Sequence, residues 1–395
     1  MVPERSGAMT DSAYNTLMRQ RNSGTASYEI KGINRSLIFN LICENPSVSR
    51  RDIQKELNLS LPTIGQNITE LLNLGLIKQS GTVGHTGGRR AETFSLNERA
   101  RVAVGLDIST NYVTTVLLDL TGAVIAINSV TKPYEKTEEY MEYLGECVRA
   151  ILKENKINEK DVLGVGLGVP ALTDITATNV VYAGILDMNE LTAADFERHI
   201  GFPVKVFNDA NAACFAELHT LGGSEDTGFY IMLSNNVGGA VFMNNKVFIG
   251  DNFRSGEVGH LIIHRNGKQC YCGQKGCLDP YCSATVLTSL SGGSINRFFE
   301  MLHDRDEEAV KVWNTYLEDL AIAVRNVRVL FDCPIIIGGS VGAMMEPYMS
   351  QLKTIVRRTS TFDTTTSYLR SCQFKIEAIA AGAALQFVSE FLRSI

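Results

Sequence analysis

Two stretches of the chain repeat one order of elements. In the first, an apolar run at Val102–Leu106 leads through a polar bend, Asp107–Asn111, into Val113–Leu120, a Thr121-Gly122 turn and Val124–Val130. Helical periodicity follows over residues 135–155, then a buried-type strand at Val162–Val169. In the second, Phe229–Leu233 leads through Ser234–Asn236 into Val237–Met243, an Asn244-Asn245 turn and Lys246–Ile249. A helix over 306–331 and a short strand at Pro334–Ile337 complete it. Such a recurrence predicts two lobes of one α/β design, related by duplication, with a cleft between them. Ligands of open α/β sheets sit beyond strand ends, so the bends are where chemistry is expected.

The residues ahead of this body follow another rule. Ile33, Leu37, Ile38, Leu41 and Ile42 fall on one helical face, and Pro46 ends that helix. Ser49 and Asp52 form a capping-box start for a second helix that buries Ile53 and Leu57. Asn58-Leu59-Ser60 makes a turn, and Ser60 with Pro62 starts a third helix. There Ile64, Ile68, Leu71 and Leu72 point inward, leaving Thr63, Gln66, Asn67 and Glu70 outward. Leu76–Lys78 and Thr93–Leu96 read as strands flanking a Gly/Arg loop, Gly81 to Arg90. The whole is a helix-turn-helix with a β-wing. Small amide and hydroxyl side chains near a helix start suit base edges in a major groove, and wing arginines suit phosphates or a minor groove. The DNA-contact candidates are Arg50, Arg51, Thr63, Gln66, Asn67, Arg89 and Arg90.

Charge agrees with that division. Residues 31–100 hold nine Lys/Arg against six Asp/Glu, a charge of +3, whereas residues 1–30 balance and the rest carries −9. Only the first unit is expected to meet nucleic acid. Residues 1–30, with no clear period, read as a mobile tail with a short helix near Tyr14–Met18. They hold no apolar run of secretory length, and no 18-residue apolar window occurs anywhere, so the expected compartment is the cytoplasm, with no membrane contact. Nine cysteines in 395 residues are then reduced thiols rather than a disulfide scaffold.

Four residues stand apart by spacing. His260, Cys270, Cys272 and Cys277 form H-x9-C-x-C-x4-C, with glycines at 267, 273 and 276 around them. One imidazole and three thiolates suit tetrahedral zinc in a closed structural site. Cys282 is a rival fourth ligand. Cys43, Cys147, Cys214, Cys333 and Cys372 are isolated and assigned to the core. His85, His199, His219, His264 and His303 have no partner pattern.

The segment Gly256-Glu257-Val258-Gly259-His260, with Cys270-Tyr271-Cys272-Gly273 and Gly276-Cys277-Leu278-Asp279, resembles the signature of the ROK family of bacterial repressors, open reading frames and sugar kinases. The resemblance spans residues 31–395. It implies a two-lobed actin-like fold, a duplicated ribonuclease H-like design carrying the structural zinc, behind a winged helix-turn-helix. It divides the chain into a tail (1–30), a DNA-binding domain (31–98) and a sugar-binding domain (99–395). Asn208-Asp209 matches the family's Asn-Asp pair, whose carboxylate is the base in the kinases. Glu257 and His260 match sugar-contacting positions, His260 serving zinc through its other nitrogen. Asp279 stands where the family usually has Glu, which shortens its reach toward a sugar.

The nucleotide motifs depart from the kinase pattern. Asp107 is followed by Ile108-Ser109-Thr110-Asn111 where kinases carry a glycine pair. The second phosphate loop, Ser234-Asn235-Asn236-Val237-Gly238, lacks the glycines that let backbone approach phosphate, although Gly338-Gly339 remains. The expected function is therefore a sugar-responsive transcriptional regulator rather than an enzyme: a repressor of carbohydrate-utilisation genes, released from DNA by a sugar or sugar phosphate. It would act as a homodimer or homotetramer on a palindromic operator. The alternative is an ATP-dependent sugar kinase with Asp209 as its base.

Overall fold

The computed structural model describes residues 27–83, 91–221 and 225–395. The helix expected near Tyr14–Met18 and the wing tip with His85, Arg89 and Arg90 lie outside the described residues.

The first unit is built from α1 (Ser27–Glu44), β1 (Val48–Ser49), α2 (Arg50–Leu57), α3 (Leu61–Asn73), β2 (Ile77–Val83) and β3 (Ala91–Leu96). Helix α1 begins at Ser27, inside the segment read as tail. The reciprocal cap of α2 forms, with Asp52 N–H on Ser49 Oγ at 3.3 Å and Ser49 N–H on Asp52 Oδ2 at 2.9 Å. Ser60 Oγ accepts the Thr63 N–H at 3.3 Å to start α3. Each cap contributes about 1 kcal/mol. Ile64, Ile68 and Leu71 are buried, while Leu72 is only partly covered. Strands β2 and β3 pair antiparallel, and both run longer than the sequence pattern predicts.

The body repeats one sheet twice. The first lobe holds β4 (Val102–Ile108), β5 (Tyr112–Asp119), β6 (Val124–Thr131), α4 (Glu138–Glu154), β7 (Val162–Val169), the pair β8 (Leu172–Thr173) and β9 (Val180–Tyr182), α5 (Ala193–Ile200), β10 (Val204–Asn208) and α6 (Asp209–Leu221). The second holds β11 (Thr227–Leu233), β12 (Val237–Met243), β13 (Lys246–Phe248), α7 (Asp279–Cys282), α8 (Ala284–Thr288), α9 (Ile295–His303), α10 (Glu307–Phe331), β14 (Ile335–Gly338), α11 (Gly339–Gly342), α12 (Met349–Thr359) and β15 (Leu369–Ser371), before α13 (Ala378–Ser394). The strand orders are β6-β5-β4-β7-β10 and β13-β12-β11-β14-β15. In each, the first three strands are antiparallel and the last two run parallel to the first. This is the duplicated α/β design that the repeated pattern predicts.

Every residue of β4 is buried, because α4 covers one face of its sheet and α13 the other. Helix α13 passes so close that a Cβ at Gly105 would lie 1.8 Å from the Ala380 carbonyl oxygen. In the second lobe, Trp313 of α10 stacks on Tyr316 at 5.5 Å beneath the sheet. The apolar core of the first unit is continuous with that of the body. Leu37, Ile53, Ile68 and Phe94 belong to the same cluster as Val116, Ala384, Leu385 and Ile395. Among the described residues, no helix is long and apolar enough to cross a membrane. Cys214, Cys333 and Cys372 are buried as expected, but Cys43 and Cys147 are only partly covered.

Candidate functional site

The edge strand of the first sheet, β10, delivers Asn208, and Asp209 opens α6. Asn208 is braced on both sides of its amide: Nδ2 donates to the Ala171 carbonyl at 3.1 Å and Oδ1 accepts the Asn211 N–H at 2.9 Å. Asp209 accepts the N–H of Ala210 at 2.8 Å. Burial pushes Asp209 up to about 7, against the Ala210 N–H that favours ionisation, and Glu257 adds to the rise. Asp107, at the end of β4, is pushed up to about 8 by burial and then by the charge of Asp209. Burial also raises Glu257 and Asp279. Asp209 thus feels the charge of Glu257 from the other lobe and acts on Asp107, and these carboxyl groups with the braced amide of Asn208 suit a polyol.

Asp279 is held through one carboxylate oxygen. Its Oδ1 accepts the Val237 N–H at 2.7 Å, and the residue is buried, so it ties the cysteine loop to the second sheet. The shorter side chain is spent on the protein's own backbone.

The cysteine–histidine cluster closes as the spacing predicts. One ligand atom from each of His260, Cys270, Cys272 and Cys277 lies within 4.8 Å of every other. Cys272 Sγ and Cys277 Sγ are 3.7 Å apart, and Cys270 Sγ is 3.8 Å from His260 Nδ1. Tetrahedral thiolates at about 2.3 Å from one zinc would be spaced about 3.8 Å, so the four residues fit a metal ion. Burial pushes Cys277 up to about 12, and the neighbouring thiols add to the rise. Gly276 makes the turn possible: its φ is 84°, and a Cβ there would sit 1.7 Å from the His264 carbonyl oxygen. The rival ligand Cys282 lies outside this cluster, its thiol directed to the Tyr316 carbonyl at 3.8 Å.

Two histidines have close side-chain neighbours in the fold. The Nε2 of His260, expected on a sugar hydroxyl, lies 3.3 Å from the Tyr271 hydroxyl. His264, read as bland, pairs through Nε2 with Asp319 at 2.7 Å and packs on Tyr281 at 4.7 Å, anchoring the loop to α10. The order of residues shows neither contact, because both join positions distant in the chain or hidden inside the loop.

Backbone donors in and beside the loops that the resemblance compares with nucleotide loops have partners within the chain. The Gly339 N–H donates to Tyr230 Oη at 3.2 Å, and the Ser340 N–H to Ser234 Oγ at 3.2 Å. With the Val237 N–H held by Asp279, three backbone donors around these loops face inward partners.

On the winged unit, Arg51 and Gln66 are exposed and Thr63 is partly covered, its hydroxyl 2.8 Å from Ser60 Oγ. Arg50 is engaged within the unit: it pairs with Glu92 at 3.0 Å and lies over the Phe94 ring at 5.1 Å. Asn67 corrects the expected outward face. It is 1% exposed, with Nδ2 donating to the Thr63 carbonyl at 2.8 Å. Position 67 falls three residues after Ile64 and beside Ile68, which turns it under the helix.

Comparison with known proteins agrees with both halves. Residues 103–388 match the family described as ROK family, and residues 33–78 match winged helix-turn-helix DNA-binding. A putative xylose repressor of Caldicellulosiruptor sp. (strain Rt8B.4) is 27% identical over 92% of this chain and 97% of its own length. The dual regulator NagC of Escherichia coli K12 is 26% identical over 65% of this chain and 64% of its own. Among solved structures, a ROK family transcriptional regulator, a homolog of the E. coli MLC protein, superposes with a TM-score of 0.70 at 23% identity over 92% of this chain and 97% of that one. A Streptomyces griseus ROK glucokinase in complex with glucose and AMPPNP gives 0.62 at 24% identity, over 72% of this chain and 98% of that one. The match across most of the chain places it in the ROK family, with a winged helix-turn-helix ahead of its ROK body.

Proposed function

We propose that the chain is a sugar-responsive transcriptional regulator, a repressor of carbohydrate-utilisation genes that leaves its operator when a sugar or sugar phosphate binds the body. The observation that carries this is the shared core: the DNA-binding unit and the lobe holding Asp209 are one apolar body, so strain at the site is felt at the head. The names of the relatives, a xylose repressor and a regulator of the NagC type, support the sugar class. The occupied loop donors support a regulator without ATP chemistry, in which Asp209 is a sugar ligand and no residue is catalytic.

In this reading the division falls at 31–98 for DNA and 99–395 for sugar. Asn208, Asp209 and Glu257 hold sugar hydroxyls, while Arg51, Thr63, Gln66, Arg89 and Arg90 meet DNA. Zinc is the metal for His260, Cys270, Cys272 and Cys277, and it would fix the loop next to the sugar site. A homodimer or homotetramer in the cytoplasm would read a palindromic operator, two winged units on two half-sites.

Selection of genomic fragments by the purified protein tests this. Bound fragments are eluted with pools of sugars and of sugar phosphates. A palindrome released by one pool is the expected result. Retention of no DNA under any pool, or ADP release with a sugar, would overturn the reading.

A further inference from the structure

Tyr271 sits between two metal-cluster residues, in Cys270-Tyr271-Cys272, yet its ring serves the other side of the loop. Its hydroxyl is 3.3 Å from His260 Nε2, and the two rings meet edge to face at 5.3 Å. His260 Nδ1 faces Cys270 Sγ at 3.8 Å. With Nδ1 given to a metal, Nε2 carries the ring proton and donates it to the Tyr271 oxygen. The tyrosine's own proton is then left to point at something else. His260 ends the one-turn helix Val258–His260 that Glu257 caps, and its N–H donates to the Glu257 carbonyl at 3.1 Å. The phenol therefore lies against the segment that carries Glu257, a carboxylate of the sugar site. Tyr271 remains 50% exposed, so part of its ring is uncovered.

We propose that Tyr271 is an effector-contacting residue, its hydroxyl oriented by His260 to donate to a sugar oxygen and its ring packing on the sugar's C–H face. It takes the place that His260 holds in the resemblance and passes the rigidity of the metal loop to the ligand. The proposal rests on the reading of Asp209 and Glu257 as the sugar site.

The test uses the full chain on an operator fragment recovered by selection. D-xylose, D-glucose, N-acetyl-D-glucosamine and the 6-phosphates of the two hexoses are the probes. DNA release, direct sugar binding by calorimetry, and metal per chain are measured for the parent, Tyr271→Phe, Tyr271→Ala and Asp209→Asn. Tyr271→Phe keeps its metal and its DNA affinity but needs about tenfold more of the active sugar, the worth of one hydrogen bond. Tyr271→Ala, which also loses the ring, needs about 100-fold more. Unchanged release in both Tyr271 variants, with release lost in Asp209→Asn, overturns this proposal and leaves the sugar site standing. Unchanged release in all three, or no response of the parent to any probe, overturns both. Loss of metal or DNA binding in Tyr271→Phe would make the residue structural and overturn the proposal too.

Discussion

The Nε of Arg35, in the first helix of the winged unit, donates to the carbonyl oxygen of Ile395 at 2.9 Å. Its Nη1 reaches Glu70 of α3 at 3.0 Å, and Lys31 reaches the same carboxylate at 3.2 Å. The helix that DNA would meet is thereby joined to the end of α13. At the other end of α13, Glu217 of α6 accepts the N–H groups of Gln373 and Phe374 at 3.0 and 2.9 Å. Helix α6 begins at Asp209. Two packed helices thus run from Asp209, the proposed sugar ligand, to the winged unit.

Arg35→Ala should loosen that junction. The pair is partly exposed, so the loss of stability should stay near 1 kcal/mol or less. DNA affinity should hold within about threefold, while sugar-driven release weakens more than that. Thermal melting together with release titrations checks this, and an unchanged release curve would remove Arg35 from the route.

Cys272→Ser should cut bound metal from about one ion per chain to near zero and lower the melting temperature. Elemental analysis of the purified protein with calorimetry measures both. Serine at isolated Cys147 should leave the metal in place.

Stability should fall as pH rises through the range where Asp107 and Asp209 stay protonated in the folded chain. Their folded values lie near 8 and 7, above the unfolded carboxylate range. Unfolded carboxylates ionise from about pH 4 upward while these hold their protons, so the folded state loses ground between pH 4 and 8. Asp107→Asn removes one such group. It should melt like the parent at pH 4 and gain stability over the parent at pH 8, on the order of 5 kcal/mol. A gain that is equal at both pH values would contradict the assignment.

Gln66 and Asn67 should separate function from packing. Gln66→Ala should weaken operator binding by about tenfold with no change in melting. Asn67→Leu replaces a buried amide whose Oδ1 has no partner among the described residues, so it should keep or raise stability and spare DNA affinity. Binding and melting curves of the two variants decide it.

What the sequence made readable is what periodicity and spacing encode. The two strand–bend–strand runs predicted both sheets, because alternation and turns are local. The ligand spacing from His260 to Cys277 predicted the cluster, because a small ion needs close donors. Helix α13 gives no periodic signal, since its Ala-Ile-Ala-Ala-Gly-Ala-Ala start has no polar face, being packed on β4, β7 and α6 together. Asn67 misled because polarity alone assigned it outward, whereas its helical position lies between Ile64 and Ile68. Tyr271 carried no signal, since a residue between two cysteines is unconstrained by the metal pattern; only the fold brings its hydroxyl to His260. The occupied donors at Gly339 and Ser340 were likewise hidden, because Tyr230 and Ser234 are more than a hundred residues away.

The central claim is that a sugar held by Asp209 releases DNA held by the winged unit. Sugar titration of an operator complex, read by fluorescence anisotropy for the parent and for Asp209→Asn, tests it most directly. The account predicts that both chains bind the operator alike and that only the parent lets go, the variant needing at least about 30-fold more sugar. Release of the variant at the parent's sugar concentration would contradict it.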